Sequence, residues 1–290
     1  MKKIVSQLLF VILIIGLAAG CSSQNDSASG DGKADTKQTE KKETKTLKVG
    51  LNASGVPIWN FVKEKAAKQG IELELVEFSD YVRPNLALAA GDIDLNAFQT
   101  VSYFDAFIKE RNLDLAPLCT TLIAPMGLYS EKYKDPKDIP DGGKIALPQE
   151  ATNMGRALLL LQSAGLIKLA DDFDGNGSLD VIKENPKHLE FVPVAAAQTP
   201  RALPDVAASV INNGVAVEAG FIPVKDSIYH EDDTATPYIN IIAVRSEDVD
   251  DPTMQKLADI YQQDDVAQHI REVFENSTIP TFVPLSKIGW

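Results

Sequence analysis

Cysteines, histidines and the common catalytic motifs are scarce or missing in this 290-residue sequence. It has two cysteines and three histidines, and the histidines His188, His230 and His269 show no metal-ligand spacing. It contains no G-x-S-x-G motif, no P-loop and no H-E-x-x-H motif. Its carboxylates do not pair in an apolar context, as general acid–base catalysis would require. The sequence therefore gives no positive sign of an enzyme, a metal site or a cofactor.

Basic residues are also in the minority. There are 28 lysines and arginines against 41 aspartates and glutamates, which gives a net charge of −13. Such acidity argues against nucleic-acid binding, because a nucleic-acid partner is itself strongly negative. The hydrophobic content of 44% is ordinary for a globular protein with one large or two smaller cores.

The N-terminal residues have the pattern of a targeting segment. Two lysines precede a short apolar run at residues 8–17, which is typical of a secretory signal peptide and short for a membrane span. We therefore assign residues 1–20 to a signal peptide. The sequence LAAGC resembles the bacterial lipobox, whose cysteine receives a lipid, so we expect lipidation at Cys21; an ordinary signal with an incidental cysteine is the alternative. Lipidation would leave Cys119 alone, without a disulfide partner.

A polar segment separates this signal from the folded part. Residues 21–46 contain almost no apolar side chain and are predicted to form a disordered, lipidated tether. Strand-like patterns then occupy residues 47–53, 71–78, 92–98, 113–124, 145–148, 188–194, 206–212 and 238–244. Helix-like patterns occupy residues 57–69, 84–90, 103–112, 153–164 and 252–274. This alternation predicts an α/β fold with parallel strands and helical crossovers. Two α/β units of about a hundred residues each fit the length better than one sheet.

The run DFDGNG at residues 172–177 matches the beginning of an EF-hand calcium loop. Such a loop needs a bidentate glutamate at its twelfth position. Here that position is Lys183, and Glu184 follows one residue late. A polar turn rich in Asp, Asn and Gly explains the same residues, and we favour it over calcium binding.

A cation, Arg156, stands near the start of the leucine-rich helix ATNMGRALLLLQ. A cation in the first turn is disfavoured by roughly a few tenths of a kcal/mol, because helix N-termini carry partial positive charge. Asn153 follows the strand IALP and is predicted to be the helix N-cap. Ligands of α/β folds bind where strands end and helices begin, so helix amides and the guanidinium indicate a site for a small carboxylate. The alternative is that Arg156 pairs with a carboxylate of the chain itself.

Aromatic and polar residues lie together at a second strand-to-helix junction, NAFQTVSYF. Phe98 and Tyr103 flank Thr100 there, and aromatic walls with a few polar groups suit a half-apolar small ligand. Phe104 is equally well explained as a core residue. A third junction, DYVRP, places Tyr81 in a similar position.

The stretches that hold these residues resemble the NlpA lipoprotein family, the methionine-binding lipoproteins of ABC importers. The resemblance extends in order from residue 47 to the C-terminus and rests on FSDYVRPNLALAAGDIDLNAFQ, TNMGRALLLLQSAGLIKL, ENPKHLEFVPVAAAQTPRAL, PYINIIAV and the closing Gly-Trp. It implies a type II periplasmic-binding-protein fold, in which two α/β lobes joined by two crossing strands close on a ligand. One lobe would contain residues 47–123 and 240–290, and the other residues 124–239.

The resemblance also implies roles for individual residues. Aromatic positions that enclose the ligand's thioether match Tyr81, Phe98 and Tyr103. The polar pair that faces the α-carboxylate matches Asn153 and Arg156. An amide that holds the amino-acid backbone matches Asn212. Two further residues, Thr100 and Tyr238, complete the predicted ligand-binding set. Two positions depart from the family pattern, since many members have histidine at Thr100 and tyrosine at Val215.

The expected function is the capture of L-methionine for an ABC permease and its ATPase. The protein would be a monomer, held by its lipid on the extracytoplasmic face of the cell membrane, and it would perform no chemistry. The two departures leave room for methionine sulfoxide, another apolar amino acid or a methionine-containing dipeptide. A surface interaction lipoprotein without a transport role is a further alternative, and a hydrolase or transferase is disfavoured by the missing nucleophile and base.

Overall fold

The computed structural model describes residues 45–231 and 236–290. The predicted signal peptide, the lipidation site at Cys21 and the predicted tether up to residue 44 lie outside these residues. The folded part begins two residues earlier than expected, because Lys45 and Thr46 already pair with the neighbouring strand. Within the described ranges, no helix is long and apolar enough to cross a membrane.

The predicted strands and helices are present with shifts at their ends, and the described residues form five further short strands and two further short helices that the sequence patterns did not indicate. The strands are β1 (Lys45–Leu51), β2 (Ile71–Glu77), β3 (Leu95–Thr100), β4 (Leu115–Ile123), β5 (Gly127–Tyr129), β6 (Lys144–Pro148), β7 (Lys168–Leu169), β8 (Ile182–Glu184), β9 (Glu190–Val194), β10 (Ala208–Ile211), β11 (Ser227–His230), β12 (Ile239–Arg245) and β13 (Ile279–Pro280). The helices are α1 (Val56–Ala67), α2 (Arg83–Ala90), α3 (Val101–Arg111), α4 (Ala151–Ser163), α5 (Asn213–Glu218), α6 (Pro223–Asp226), α7 (Pro252–Tyr261) and α8 (Asp264–Val273). The predicted C-terminal helix is thus two helices, separated at Gln262 and Gln263.

Two larger sheets organise the chain. The first has six strands in the order β13-β4-β12-β3-β1-β2, and the second has five in the order β11-β5-β10-β6-β9. Pairing is parallel within β1, β2 and β3 and within β6, β9 and β10, as the helical crossovers predict. It is antiparallel where β12 meets β3 and β4 and where β5 meets β10 and β11. The sheets are therefore mixed, with parallel pairs where a helix connects the strands. The last residue of β4, Ile123, pairs with the first residue of β12, Ile239. The end of one strand thus lies beside the start of the other, so the two strands run in opposite directions.

The chain passes between the two sheets twice. It leaves the first sheet after Ile123 and joins the second at Gly127, then leaves the second after His230 and rejoins the first at Ile239. Each sheet has its own apolar core. Trp59, Leu95 and Leu257 belong to the first core, whereas α4 contributes its buried leucines to the second. The predicted fold class, two α/β lobes joined by two crossings, is confirmed.

The leucine-rich helix α4 begins before Asn153. Its N-cap is Glu150, whose extended backbone (φ −66°, ψ 127°) leads into the helix and whose carbonyl accepts a hydrogen bond from the Met154 amide at 2.7 Å. The prediction that Asn153 caps the helix is therefore wrong, because the chain turns into the helix within two residues of β6. Asn153 becomes the third helical residue. Arg156 becomes the sixth, beyond the first turn in which the helix dipole would disfavour it.

The DFDGNG loop packs on α4. A Cβ atom at Gly155 would lie 2.1 Å from the carbonyl oxygen of Gly175, so only glycine allows this close approach of helix and loop. Asp174 accepts a hydrogen bond from the backbone amide of Asn176 at 2.9 Å, as in an Asx turn. Phe173 packs against the core of the second lobe. The loop therefore covers the helix that carries Arg156.

Candidate functional site

A cavity of about 110 Å³ lies between the lobes, lined by residues of both. A water molecule occupies about 10–15 Å³ on this measure, so the space suits several waters or one small organic molecule. The predicted site residues that line it are Tyr81, Phe98, Thr100, Tyr103, Asn153, Arg156 and Asn212. Tyr238 is not among the residues that line the cavity, and its ring contacts the guanidinium of Arg156.

Three aromatic rings form one wall. The ring centroids of Tyr81 and Phe98 are 5.8 Å apart, and each lies 6.3 Å from the centroid of Tyr103. The Tyr103 hydroxyl donates to the Tyr81 carbonyl at 2.8 Å. This bond connects the strand-to-helix junctions DYVRP and NAFQTVSYF. Burial raises the pKa of both tyrosines above the ordinary value, so the hydroxyls stay protonated at neutral pH. The wall therefore offers uncharged, mostly apolar surface to a ligand.

A network of buried amides supports this wall. Gln99 donates to Asn85 at 2.7 Å and to Asn96 at 2.9 Å, while Asn85 donates to Gln99 at 2.7 Å. All three side chains are buried, and Gln99 lines the cavity between Phe98 and Thr100. Sequence reasoning missed this network. The signal was present, because three amides interrupt otherwise apolar patterns in RPNLALAA and LNAFQ.

Thr100 has a structural role as well as a place in the cavity wall. It is the N-cap of α3, and its hydroxyl accepts a hydrogen bond from the Tyr103 amide at 3.2 Å. Val215, the other departure from the family pattern, does not line the cavity. It is buried in a small cluster with Tyr129 and Ile211, against which Tyr81 packs. Of the two departures, only Thr100 is therefore placed to contact a ligand.

Arg156 is buried and pairs with Glu231. Its Nε lies 2.8 and 3.1 Å from the two carboxylate oxygens, and its Nη2 donates to Glu231 Oε2 at 2.5 Å and to the Ala124 carbonyl at 3.0 Å. Only 4% and 11% of the two side chains are exposed. The Tyr238 ring lies over the guanidinium, 4.2 Å from Cζ. The alternative from the sequence, in which Arg156 pairs with a carboxylate of the chain itself, is therefore correct. Arg156 also lines the cavity.

The Arg156–Glu231 pair leaves part of the guanidinium unused. Within residues 45–231 and 236–290, Nη1 has no hydrogen-bond partner, although its two N–H groups are donors. Glu231 binds Nε and Nη2, and the Ala124 carbonyl binds Nη2. A ligand anion in the cavity would therefore find an available donor on Arg156.

Amide side chains complete the polar part of the cavity. Asn212 donates to Asn153 Oδ1 at 3.2 Å, and its own buried Oδ1 has no donor among the described residues. Buried acceptors normally have a partner, so this oxygen is suited to a ligand N–H group. Asn240 of β12 also lines the cavity and donates to the Leu122 carbonyl at 3.3 Å. Sequence analysis missed Asn240, although it is a lone amide in the apolar run YINIIAV.

Direct hydrogen bonds connect the lobes beside the cavity. The Ser54 amide donates to Glu218 at 3.1 Å. Asn213, which is buried at the start of α5, donates to the Ser277 carbonyl at 3.2 Å and accepts from Thr278 at 3.4 Å. These bonds link the first lobe to α5 of the second. The lobes therefore lie closed against each other in this conformation.

The chain is similar to known proteins over most of its length. The NlpA lipoprotein profile matches residues 47–282. The chain is similar to the D-methionine-binding lipoprotein MetQ of Salmonella typhimurium, with 41% identity over 83% of this chain and 90% of that protein. It is also similar to the uncharacterized lipoprotein YhcJ of Bacillus subtilis, with 39% identity over 85% and 88% of the two chains. A solved structure of a nutrient binding protein from Burkholderia cenocepacia bound to methionine has a TM-score of 0.79 and 42% identity, covering 81% of this chain and all of that one.

Proposed function

Since this chain belongs to the NlpA lipoprotein family, we propose that it is a solute-binding lipoprotein that captures L-methionine for an ABC importer. The observation that carries this proposal is the cavity between the lobes. It combines an available guanidinium donor, a buried amide acceptor and an aromatic wall. A relative named for D-methionine binding and a solved homologue bound to methionine support the choice of ligand.

Each part of methionine has a matching group in the cavity. The α-carboxylate would accept hydrogen bonds from Arg156 Nη1, and a charge-assisted bond of this kind contributes about 1.5–3 kcal/mol. The ammonium group would donate to the buried Oδ1 of Asn212. The thioether would lie against Tyr81, Phe98 and Tyr103, since sulfur packs favourably at aromatic rings. No bond of the ligand is broken in this arrangement, so the proposed role is binding without catalysis.

Lobe movement would couple binding to delivery. We assign residues 47–123 and 240–290 to the first lobe and residues 124–239 to the second. The cavity is lined by both, so a bound ligand stabilises the closed form relative to the open one. The closed form would then be the one that the permease and its ATPase recognise.

The proposed location is the extracytoplasmic face of the cell membrane. Family membership and the LAAGC sequence support a lipid on Cys21 as the anchor. The binding unit would function there as a monomer, because both lobes of the cavity come from one chain.

A methionine-containing dipeptide is a second candidate ligand. The cavity lining continues past Asn212 to further polar residues, namely Asn52, Ser54, Asn213 and Thr278. These groups could hydrogen-bond an additional peptide unit on the amino side of methionine.

A thermal-shift screen of protein that has been unfolded and refolded to remove carried ligand tests the proposal. The panel should contain the twenty amino acids, methionine sulfoxide and short methionine dipeptides. A ligand at a hundred times its dissociation constant adds about 2.7 kcal/mol of stability, which such a screen detects. The proposal predicts that methionine gives the largest shift. A larger shift with a dipeptide would favour the second candidate, and a flat screen would contradict both.

Replacing Thr100 by histidine is expected to change the ligand preference without abolishing binding. The imidazole would narrow the cavity beside Phe98, whereas loss of the N-cap hydroxyl should lower the free energy of unfolding by about 1 kcal/mol. Titrations with methionine and methionine sulfoxide measure the change. Thr100→Ser, which keeps the hydroxyl, is the matched control and should bind as the wild type does. If the histidine variant binds each of the two ligands with the same affinity as the wild type does, Thr100 does not contact the ligand.

A further inference from the structure

The cavity carries almost no net charge of its own. Among the described residues that line it, Arg156 is the only charged one. Its charge is already matched by Glu231, which lies against Nε and Nη2 and does not line the cavity. A ligand therefore meets a guanidinium that belongs to a neutral ion pair.

Glu231 is held in place independently of any ligand. Its Oε2 accepts a hydrogen bond from the Met126 amide at 2.8 Å, and its own amide donates to the Met126 carbonyl at 3.0 Å. Both residues lie on the crossings between the lobes, next to Ala124, which also binds the guanidinium. The carboxylate would therefore stay on Arg156 when a ligand enters, and a ligand carboxylate would share the guanidinium with it.

Two other carboxylates act on Tyr81 of the aromatic wall. Burial is the main reason that the pKa of Tyr81 is raised, and the negative charges of Glu218 and Glu150 raise it further. Glu150 Oε1 accepts from the Ala196 amide at 3.2 Å, while its buried Oε2 has no partner in the described part of the chain. Neither carboxylate lines the cavity, and both add negative charge near Tyr81.

We propose that Glu231 is a specificity-determining residue that makes the cavity select zwitterions over monoanions. This inference rests on the proposed function, in which the ligand carboxylate binds Arg156. A carboxylate added to a neutral Arg–Glu pair lies near a second carboxylate, and like charges at such short range repel. An amino acid compensates for this repulsion with its own ammonium group, whereas a simple carboxylic acid cannot. Without Glu231, the guanidinium would attract either ligand.

Calorimetric titration with two ligands tests the proposal. L-Methionine is compared with 4-(methylthio)butanoate, which is methionine without its amino group, in the wild type and in Glu231→Gln. The wild type should bind methionine at least about a hundredfold more tightly, and Glu231→Gln should reduce this preference by at least about tenfold. Glu231→Asp keeps the negative charge and should keep the preference. Asp248→Asn is the control, because Asp248 pairs with Arg245 at 2.7 Å and neither residue lines the cavity.

The outcomes separate this inference from the proposed function. If Glu231→Gln weakens both ligands equally, Glu231 only supports the fold of the site and the inference is wrong. If the wild type binds the two ligands equally well, the inference is wrong even if the variant does not fold. If the wild type binds neither of these two ligands but does bind other solutes, both the inference and the proposed ligand are wrong.

Discussion

Arg156→Lys is expected to weaken methionine binding by at least about a hundredfold while leaving a folded protein. The reason is geometric, because lysine keeps one positive charge for Glu231 but lacks the planar group that bonds two partners at once. The guanidinium contacts Glu231 and Ala124 through Nε and Nη2, and Arg156 also lines the cavity. Losing charge-assisted bonds of about 1.5–3 kcal/mol each accounts for the expected size. Calorimetric titration of the refolded variant measures it.

Arg156→Ala should affect folding as well as binding. The sequence left open whether Arg156 binds a ligand or pairs with a carboxylate of the chain, and the structure shows a buried pair with Glu231. Removing one partner of a buried pair costs about 3–5 kcal/mol, because the other charge stays buried and unpaired. Urea unfolding measures this cost, and Arg156→Lys is the control that keeps the charge. Normal methionine affinity in Arg156→Lys would show that the ligand carboxylate binds elsewhere.

Asn85→Ala is expected to lower the free energy of unfolding by about 3–5 kcal/mol. Asn85 is fully buried and bonds both Gln99 and Asn96, so truncation leaves two buried amides with unmet hydrogen bonds and opens a small cavity. Equilibrium urea denaturation gives the change. Methionine affinity should fall too, because Gln99 supports the wall between Phe98 and Thr100.

Asn185→Ala provides the matched control for this prediction. Asn185 also makes two hydrogen bonds through its amide, both with the backbone of Leu189, but it is only half-buried. Water can replace those bonds, so we expect a loss of about 1 kcal/mol and unchanged ligand binding. If both variants lose the same free energy of unfolding, the buried network around Asn85 contributes no more to stability than an exposed pair of hydrogen bonds does.

Local patterns predicted most of the fold. Proline and glycine positions and alternating apolar residues indicated nearly all of the helices and strands that surround the cavity, including α4 and β10. The junction rule for α/β folds then selected Tyr81, Phe98 and Arg156, which all line the cavity. These predictions succeeded because each depends on residues that are neighbours in sequence.

Features that depend on distant residues were not predictable in this way. The partner of Arg156 lies 75 positions later in the chain, and nothing near Glu231 in the sequence indicates it. Asn240 reaches the cavity only because β12 inserts between β3 and β4.

Calorimetric titration of ligand-free wild-type protein with L-methionine tests the proposed function most directly. We expect saturable binding of one molecule per chain, with a negative heat-capacity change from burial of the thioether against the aromatic wall. The same titration with Arg156→Lys should show little or no heat at equal concentrations. Absence of binding by the wild type, or equal binding by both proteins, would contradict the assignment of this cavity as a methionine site.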